Sequence, residues 1–301
     1  MTIRGLLKGL WAFCSYLFVP QRGLRKDNKE MGIKELTEYF EHIRYQIVYY
    51  PSDMSTPLPV GVDSGFMLDY KGEVLFVTAD HVVNTHDREV RIIDKNAFIQ
   101  TNNIAKNEQG MYYVELVTLS NVVFCSHLKV DMNTGNVTEL PLFDGAFVLM
   151  NDFMKNVQYR TNECSLNGAI VPVGEKKLHL DSSCICEPSN DDEYFVFGRV
   201  RFAYDQADNG QVLLRSQLIS HDGLKYVRED GNYYVLKYSQ HVVVDDWKGL
   251  SGSPVLNHQG GLIGIACKVS DVTNEVWVKK IQSMLPLFDA EILTSKINAK
   301  N

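Results

Sequence analysis

The segment Gly249-Leu250-Ser251-Gly252-Ser253-Pro254-Val255 has the residue types of a nucleophile turn. Glycines on both sides of a serine permit a sharp backbone turn, which presents the hydroxyl and leaves adjacent N–H groups free to point at a developing oxyanion. Such a string alone is more often an ordinary turn, because short motifs have many false positives. The sequence therefore makes Ser251 a candidate nucleophile that needs support from other residues.

A serine hydroxyl is a weak nucleophile at neutral pH, so Ser251 needs a base. His81 follows the apolar run Val74–Thr78, at the end of a predicted buried strand that can hold an imidazole rigidly. His241 is the one rival; it precedes Ser251 by ten residues, and Val242–Val244 predict a strand leading away from the turn. Surface or core-edge positions are expected for the other histidines: His42, His86, His127, His179, His221 and His258.

Asp144 lies two residues before the apolar run Ala146–Met150. A carboxylate there is costly to bury unless it is paired, and the N–H of an imidazole would satisfy it. Taken singly, Asp144 is more often a solvated turn residue. The occurrence of His81, Asp144 and Ser251 in this order along the chain favours an Asp144 that is paired with an imidazole.

The elements that must position these residues are short and mostly extended. Apolar residues at three- and four-residue spacing predict one amphipathic helix over Lys34–Val48, whose apolar face should pack on the rest of the fold. Beyond Pro51 the chain becomes β-branched and aromatic runs separated by Gly, Asn and Asp. The runs of the first half are Gly65–Leu68, Val74–Thr78, Val90–Ile93, Met111–Leu119, Val122–Phe124 and Ala146–Met150.

A second batch of strands follows the polar stretch Glu187–Asp192. Its runs are Tyr194–Val200, Val212–Ile219, Tyr233–Tyr238, Gly252–Leu256, Leu262–Lys268 and Val276–Lys279. Two batches of about six short strands without intervening long helices predict an all-β protein with two antiparallel six-stranded barrels. A C-terminal helix is expected over 286–298, with Pro286 in its first turn and an apolar stripe of Leu287, Ile292, Leu293 and Ile297.

Composition excludes some classes of function. The formal net charge is −7 and the pI about 5.6, so there is no basic field for a nucleic acid, whereas peptide and protein substrates remain open. Six cysteines in 301 residues are too sparse for a disulfide framework and are expected to be buried. Cys184 and Cys186 lie on opposite faces of any strand and do not make a zinc site by themselves.

The first 30 residues form a separate segment in which the apolar run Gly9–Val19 has basic residues on both sides. The run is too short to span a membrane and suits an anchor on a membrane surface or the core of a secretion signal. A third possibility is that the protein truly starts at Met31. We therefore expect a segment 1–30, a helix and linker over 31–55, and a domain over 56–301 with barrels at about 56–160 and 190–285.

Three motifs together resemble those of the trypsin-like or chymotrypsin-like serine peptidases. Thr78-Ala79-Asp80-His81 is similar to T-A-A-H, Asp144-Gly145-Ala146 to D-x-A, and Gly249–Pro254 to G-x-S-G-G-P, with Asp80 and Ser253 as departures. Ser64–Met67 resembles the strand that opens the first barrel in bacterial members, and Gly264–Cys267 resembles a substrate-lining strand. The resemblance covers about residues 60 to 295.

The resemblance implies a serine endopeptidase with the triad His81, Asp144 and Ser251, and with no metal or cofactor. It makes the N–H groups of Gly249 and Ser251 the oxyanion donors. It also places Asp245, Cys267 and Val269 at the substrate pocket, where Asp245 would favour a basic side chain and Val269 would narrow the entrance.

Departures from the family pattern carry further expectations. Val82 replaces a cysteine that forms a disulfide in secreted animal members, which favours a bacterial-type cytoplasmic or membrane-associated protein, although a secreted one is possible. We also expect a member without a PDZ module, since no C-terminal region remains for one. Leu250 replaces the aspartate that pairs with a newly cut N-terminus, so the oxyanion turn must be ordered by other means.

Three alternatives stay open at this point. One is a latent or inactive pseudoprotease that acts as a binding or regulatory module. Another is an esterase with the same triad, although the sequence lacks the strand-helix alternation of an α/β-hydrolase. The last is a membrane-tethered interaction protein in which residues 1–30 matter most.

Overall fold

Strands make up most of the described chain, which in this computed structural model comprises residues 32–51, 58–83, 95–106, 108, 112–124, 128–130, 137–139, 144–161, 174–206 and 212–299. The four helices are α1 (Ile33–Ile43), α2 (Asp80–Val83), α3 (Asp152–Asn156) and α4 (Leu285–Asn298). Short 3-10 helices lie at Ser182–Cys184, Val244–Asp246 and Ile281–Met284. Within the described ranges no helix is long and apolar enough to cross a membrane.

The N-terminal half contains one large open sheet and a small hairpin. Its strands are β1 (Arg44–Pro51), β2 (Gly61–Tyr70), β3 (Glu73–Thr78), β4 (Lys95–Lys106), β5 (Tyr112–Thr118), β6 (Val123–Phe124), β7 (Leu128–Val130), β8 (Val137–Glu139), β9 (Ala146–Leu149) and β10 (Leu180–Asp181). The antiparallel order is β5-β4-β1-β2-β3-β9-β6, β10 adds to β2 in parallel, and β7 pairs with β8. The predicted first barrel is thus not confirmed, because the described strands of this sheet do not close.

The second barrel is closed, as predicted. Its strands are β11 (Tyr194–Gln206), β12 (Val212–Asp230), β13 (Tyr233–Lys237), β14 (Pro254–Asn257), β15 (Leu262–Ser270) and β16 (Glu275–Lys280). They run in the order β11-β12-β13-β16-β15-β14, and the pairs Tyr194↔Asn257 and Phe195↔Leu256 close the ring. Each predicted strand of this half is present. Strand β12 ends at Asp230, eleven residues after the predicted end at Ile219.

The predicted helix over Lys34–Val48 is wrong after Ile43, where the backbone becomes the strand β1. Residues Arg44–Val48 are all buried, since β1 pairs with β2 on one side and β4 on the other. The β-branched and aromatic residues of this stretch fit a strand that is covered on both faces. Ile47 continues the helical spacing by coincidence, and its pairing with distant strands decides its conformation.

Two more sequence-based expectations have mixed outcomes. The C-terminal helix exists with Pro286 in its first turn, but Leu293 and Ile297 are 61% and 52% exposed. The helix buries Ile292 of the predicted stripe together with Phe288, whose ring meets Phe147 with centroids 4.7 Å apart. The predicted strand Val90–Ile93 lies outside the described residues.

Helix α1 packs into the main hydrophobic core. Leu36, Phe40 and Ile43 are fully buried, and the Phe40 ring lies edge-on to Phe195 and Phe197 of the barrel at 5.0 and 5.9 Å between centroids. This core takes residues from both the open sheet and the barrel, while a second core fills the barrel interior. The apolar face of α1 is therefore covered internally, as its periodicity predicts.

Candidate active site

The pairing of β3 with β9 brings His81 beside Asp144. Thr78, the last residue of β3, lies opposite Ala146, the first residue of β9. The chain leaves β3 into α2, which carries His81, and enters β9 from Asp144, so both residues lie at the same end of the pair. Strand register thus joins two residues that are 63 positions apart in sequence.

The carboxylate of Asp144 holds His81 at two places. The ring Nδ1 of His81 lies 2.8 and 2.9 Å from the two carboxylate oxygens, and its backbone N–H donates to Asp144 Oδ1 at 3.2 Å. The side chain of His81 is 47% exposed and that of Asp144 19%. A proton on Nδ1 fits this geometry, which leaves Nε2 as the ring atom that can act as a base.

The protonation of the two side chains follows from burial and mutual attraction. Burial by itself would lower the pKa of His81, but the hydrogen bond and charge of Asp144, with the nearby Asp63 and Asp80, raise it above the ordinary value. Burial by itself would raise the pKa of Asp144, but the bonds from His81 lower it. The carboxylate therefore stays ionised where His81 titrates.

The barrel supplies two further contacts to Asp144. The backbone N–H of Asp144 donates to the hydroxyl of Tyr233 at 3.3 Å, and the Cys267 thiol donates to the Asp144 carbonyl at 3.1 Å. Burial raises the pKa of Cys267 well above its usual value, so the thiol keeps its proton and remains a donor. Cys267, predicted at the substrate pocket, thus lies against Asp144. Tyr233 was missed by the sequence reasoning, since one tyrosine after a turn carries no signal.

The turn that holds Ser251 has the backbone geometry expected of it. Gly249 and Gly252 have φ of +103° and +84°, in the left-handed region that favours glycine. Leu250 N–H donates to Trp247, Gly252 N–H to Ala266, and the carbonyls of Gly249 and Ser251 accept bonds from Ser64. Within the described part of the chain, the N–H groups of Gly249 and Ser251 donate no hydrogen bond. The two predicted oxyanion donors thus have no partner among the described residues.

The turn lies directly against the strands that lead to His81. The Ser64 N–H donates to the Ser251 carbonyl at 3.0 Å, and a Cβ on Gly252 would overlap Ser64 O and Thr78 Oγ1. No hydrogen bond joins the Ser251 hydroxyl to His81 within the described ranges. Hydrogen bonds between a nucleophile and its base are often long in enzymes without substrate and shorten when it binds.

Two of the predicted pocket residues, Asp245 and Val269, differ in how far they are buried. The side chain of Asp245 is 71% exposed and its carboxylate lies 2.7 Å from Lys248 Nζ. An aspartate that selects a basic side chain has to be shielded from water. The specificity predicted from Asp245 remains a prediction, which this exposure weakens. Val269 is partly buried against the barrel core.

The rival base His241 is exposed and makes no hydrogen bond or ion pair with the described residues. Its neighbours do not form the predicted strand, because Val242 and Val243 are irregular and a 3-10 helix begins at Val244. No carboxylate of the described residues therefore orients His241, unlike His81.

One cluster in the described residues has the donors for a metal ion: Glu193, Asp222 and His258, with ligand atoms within 4.8 Å of one another. His258 Nε2 lies 2.8 Å from Asp222 Oδ1, and Glu193 pairs with Lys225 at 3.1 Å. Each of the three side chains thus has a partner without an ion.

Comparisons with known proteins gave weak likenesses. No protein-family model and no curated protein matches the chain. Among solved structures, a serine endoprotease from Yersinia pestis has 10% identity and a TM-score of 0.41, over 87% of this chain and 67% of that one. The MamO protease domain from Magnetospirillum magneticum has 15% identity and a TM-score of 0.34, over 80% of this chain and 94% of that one. At these scores the function has to be inferred from the chain's own residues.

Proposed function

We propose that this chain is a serine endopeptidase of the chymotrypsin-like type, with Ser251 as nucleophile, His81 as general base and Asp144 as the residue that orients His81. The observation that carries the proposal is the His81–Asp144 pair at the end of β3, beside a glycine-flanked serine turn with two unused N–H groups. A peptide or protein is the proposed substrate.

Each residue has a defined part in the proposed reaction. Ser251 Oγ attacks the peptide carbonyl while His81 Nε2 takes its proton, and the same proton then passes to the leaving amine. Asp144 holds the Nδ1 proton and stabilises the imidazolium. The N–H groups of Gly249 and Ser251 bind the oxyanion, each contributing about 3 kcal/mol in comparable sites. Water then hydrolyses the acyl-enzyme with His81 as base.

A pseudoprotease on the same scaffold is the second candidate. It is favoured by two observations: the Ser251 hydroxyl has no bond to His81 among the described residues, and Asp245 is exposed and already paired. In that case the unused N–H groups would bind an acidic or carbonyl group without chemistry.

Labelling with a fluorophosphonate probe separates the two candidates. We expect the wild-type chain to form one adduct at Ser251, located by mass spectrometry, and Ser251→Ala to form none. Ser253→Ala, in the same turn, is the matched control and should still be labelled. A folded wild-type chain that gives no adduct would favour the pseudoprotease, and an adduct that persists in Ser251→Ala would exclude Ser251 as the nucleophile.

The role of residues 1–30 remains a prediction, because they lie outside the described residues. If they attach the protein to a membrane surface, a chain that starts at Met31 should leave the membrane fraction on cell fractionation, whereas the full chain should stay in it.

A further inference from the structure

The serine turn, Gly249–Gly252, contains no charged side chain that could hold it in place. Leu250, between the two oxyanion donors, is buried, and its Cδ2 lies 2.6 Å from where a Cβ on Gly198 would be. Its side chain anchors the turn by packing but cannot orient the polar groups around it. Leu250 N–H donates to Trp247 O at 3.0 Å and Ser253 N–H donates to Leu250 O at 2.9 Å, so any further restraint on the turn comes from groups outside it.

We propose that Ser64 and Arg44 are positioning residues that hold the oxyanion turn in its binding-competent form. The Ser64 hydroxyl donates to the Gly249 carbonyl at 2.7 Å, and the Ser64 N–H donates to the Ser251 carbonyl at 3.0 Å. Ser64 thus bonds to the turn on both sides of Leu250. The Gly249 carbonyl belongs to the peptide group before that of the Ser251 N–H, and the Ser251 carbonyl to the one after it, so fixing both restrains the backbone on either side of this N–H.

Arg44 determines the direction of the Ser64 hydroxyl. Its Nη1 lies 3.0 Å from Ser64 Oγ, and both side chains are buried. A guanidinium only donates hydrogen bonds, so the Ser64 oxygen has to accept from Arg44 and its proton is directed to Gly249. A charged donor also polarises the hydroxyl and strengthens the second bond.

Arg44 is itself held at the junction of α1 and β1. Its side chain is 2% exposed, and burial lowers its pKa to about 10, so that it remains a cation at neutral pH. Glu41, one turn earlier on α1, is the nearby negative charge that favours the cation. Lys177 Nζ donates to the Arg44 carbonyl at 2.5 Å and to the Glu41 carbonyl at 2.7 Å, which fixes the end of the helix.

The inference rests on the proposed function, and its test separates the two. The variants are Ser64→Ala, Arg44→Met and Arg44→Lys, with Lys155→Met as a control because it removes a partly buried cation, paired with Glu73 at 2.9 Å, from the same half of the chain. Rates of fluorophosphonate labelling and of peptide cleavage are measured beside thermal unfolding. Backbone amide exchange at Gly249–Gly252 is followed for each variant.

We expect Ser64→Ala to lower the labelling rate and kcat by about 10- to 100-fold, with KM nearly unchanged, because an oxyanion site acts on the transition state. Arg44→Met should lower the labelling rate and kcat as Ser64→Ala does, and Arg44→Lys should restore part of both. The acid limb of the pH profile should not move, since His81 is untouched. Amide exchange should quicken in the turn and not in β13, while Lys155→Met should match the wild type.

A folded Ser64→Ala protein with wild-type rate and wild-type exchange in the turn would overturn the inference. So would a rate loss that Lys155→Met reproduces or that comes with a shifted acid limb. If the wild-type chain forms no Ser251 adduct, the proposed function fails, and the exchange data alone decide the inference: faster exchange in the turn of Ser64→Ala supports it and unchanged exchange refutes it.

Discussion

His81 is subject to two opposing influences on its charge. Burial favours the neutral ring, whereas the hydrogen bond and charge of Asp144 favour the protonated one, and the balance raises the pKa of His81 above its ordinary value of about 6.5. A general base has to be neutral. The proposed activity should therefore be lost on acidification at a higher pH than an unperturbed histidine would give.

The pH profile of kcat/KM, or of probe labelling, tests this balance. We expect an acid limb with its midpoint above about 6.5 in the wild type. In Asp144→Asn the midpoint should fall below the wild-type value, because the attraction of the Asp144 charge is lost while the burial of His81 remains, and the rate should drop by up to about 10⁴-fold. The control is Asp69→Asn, since Asp69 accepts from another histidine, His179, at 3.0 Å. An unshifted limb in Asp144→Asn would contradict the pairing.

At the scale of elements, the turn between the 3-10 helix Val244–Asp246 and β14 is defined by backbone packing. Gly252 has a left-handed φ and also lies so close to Ser64 O and Thr78 Oγ1 that a side chain has no room. The turn is therefore held against β2 and β3 by contact as well as by hydrogen bonds. Replacing this glycine should separate the nucleophile from the histidine end of β3.

Gly72 gives a matched control for that contact. Its φ of +82° is nearly that of Gly252, but a Cβ there would meet nothing within 4 Å. We expect Gly72→Ala to lower the free energy of unfolding by about 1 to 2 kcal/mol, the usual penalty of a left-handed alanine. Gly252→Ala should cost clearly more, about 3 kcal/mol or above, and should abolish labelling of Ser251. Equal losses in urea unfolding would show that the contact is unimportant.

At the scale of the whole molecule, the described halves share one core, and a buried cation lies at their junction. Burial and the nearby Arg44 lower the pKa of Lys177 to about 7, with Glu41 opposing them. In the unfolded chain a lysine titrates near 10.4. Between these values the unfolded chain holds a proton that the folded protein has released, so the contribution of Lys177 to the free energy of unfolding should rise with pH.

Unfolding in urea between about pH 7 and 9.5 measures this effect, below the range in which tyrosines titrate. Lys177 should contribute a slope of at most about 1.4 kcal/mol per pH unit, which should vanish below pH 7. Lys177→Met should remove it. Lys34→Met, which removes a lysine of α1 whose side chain is 90% exposed, is the control. A slope that survives in Lys177→Met would assign it to other groups.

Local pattern was sufficient for much of this protein. The six strands of the barrel and the C-terminal helix follow from β-branched runs, turn residues and apolar spacing, which depend on near neighbours. The residues His81, Asp144 and Ser251 also stand out by their local context, at strand ends and in a glycine-flanked turn. Their catalytic roles remain predictions until the adduct at Ser251 is measured.

Only the tertiary structure decided how distant segments meet. The register of β3 and β9 places Asp144 on His81, burial between β2 and β4 ends α1 at Ile43, and the approach of β2 to the turn sets Ser64 against Gly249. The exposure of Asp245 was also decided only by the tertiary structure. Periodicity describes which face of an element is apolar, but pairing partners and enclosure depend on residues far apart in sequence, whose contacts form only when the chain is folded.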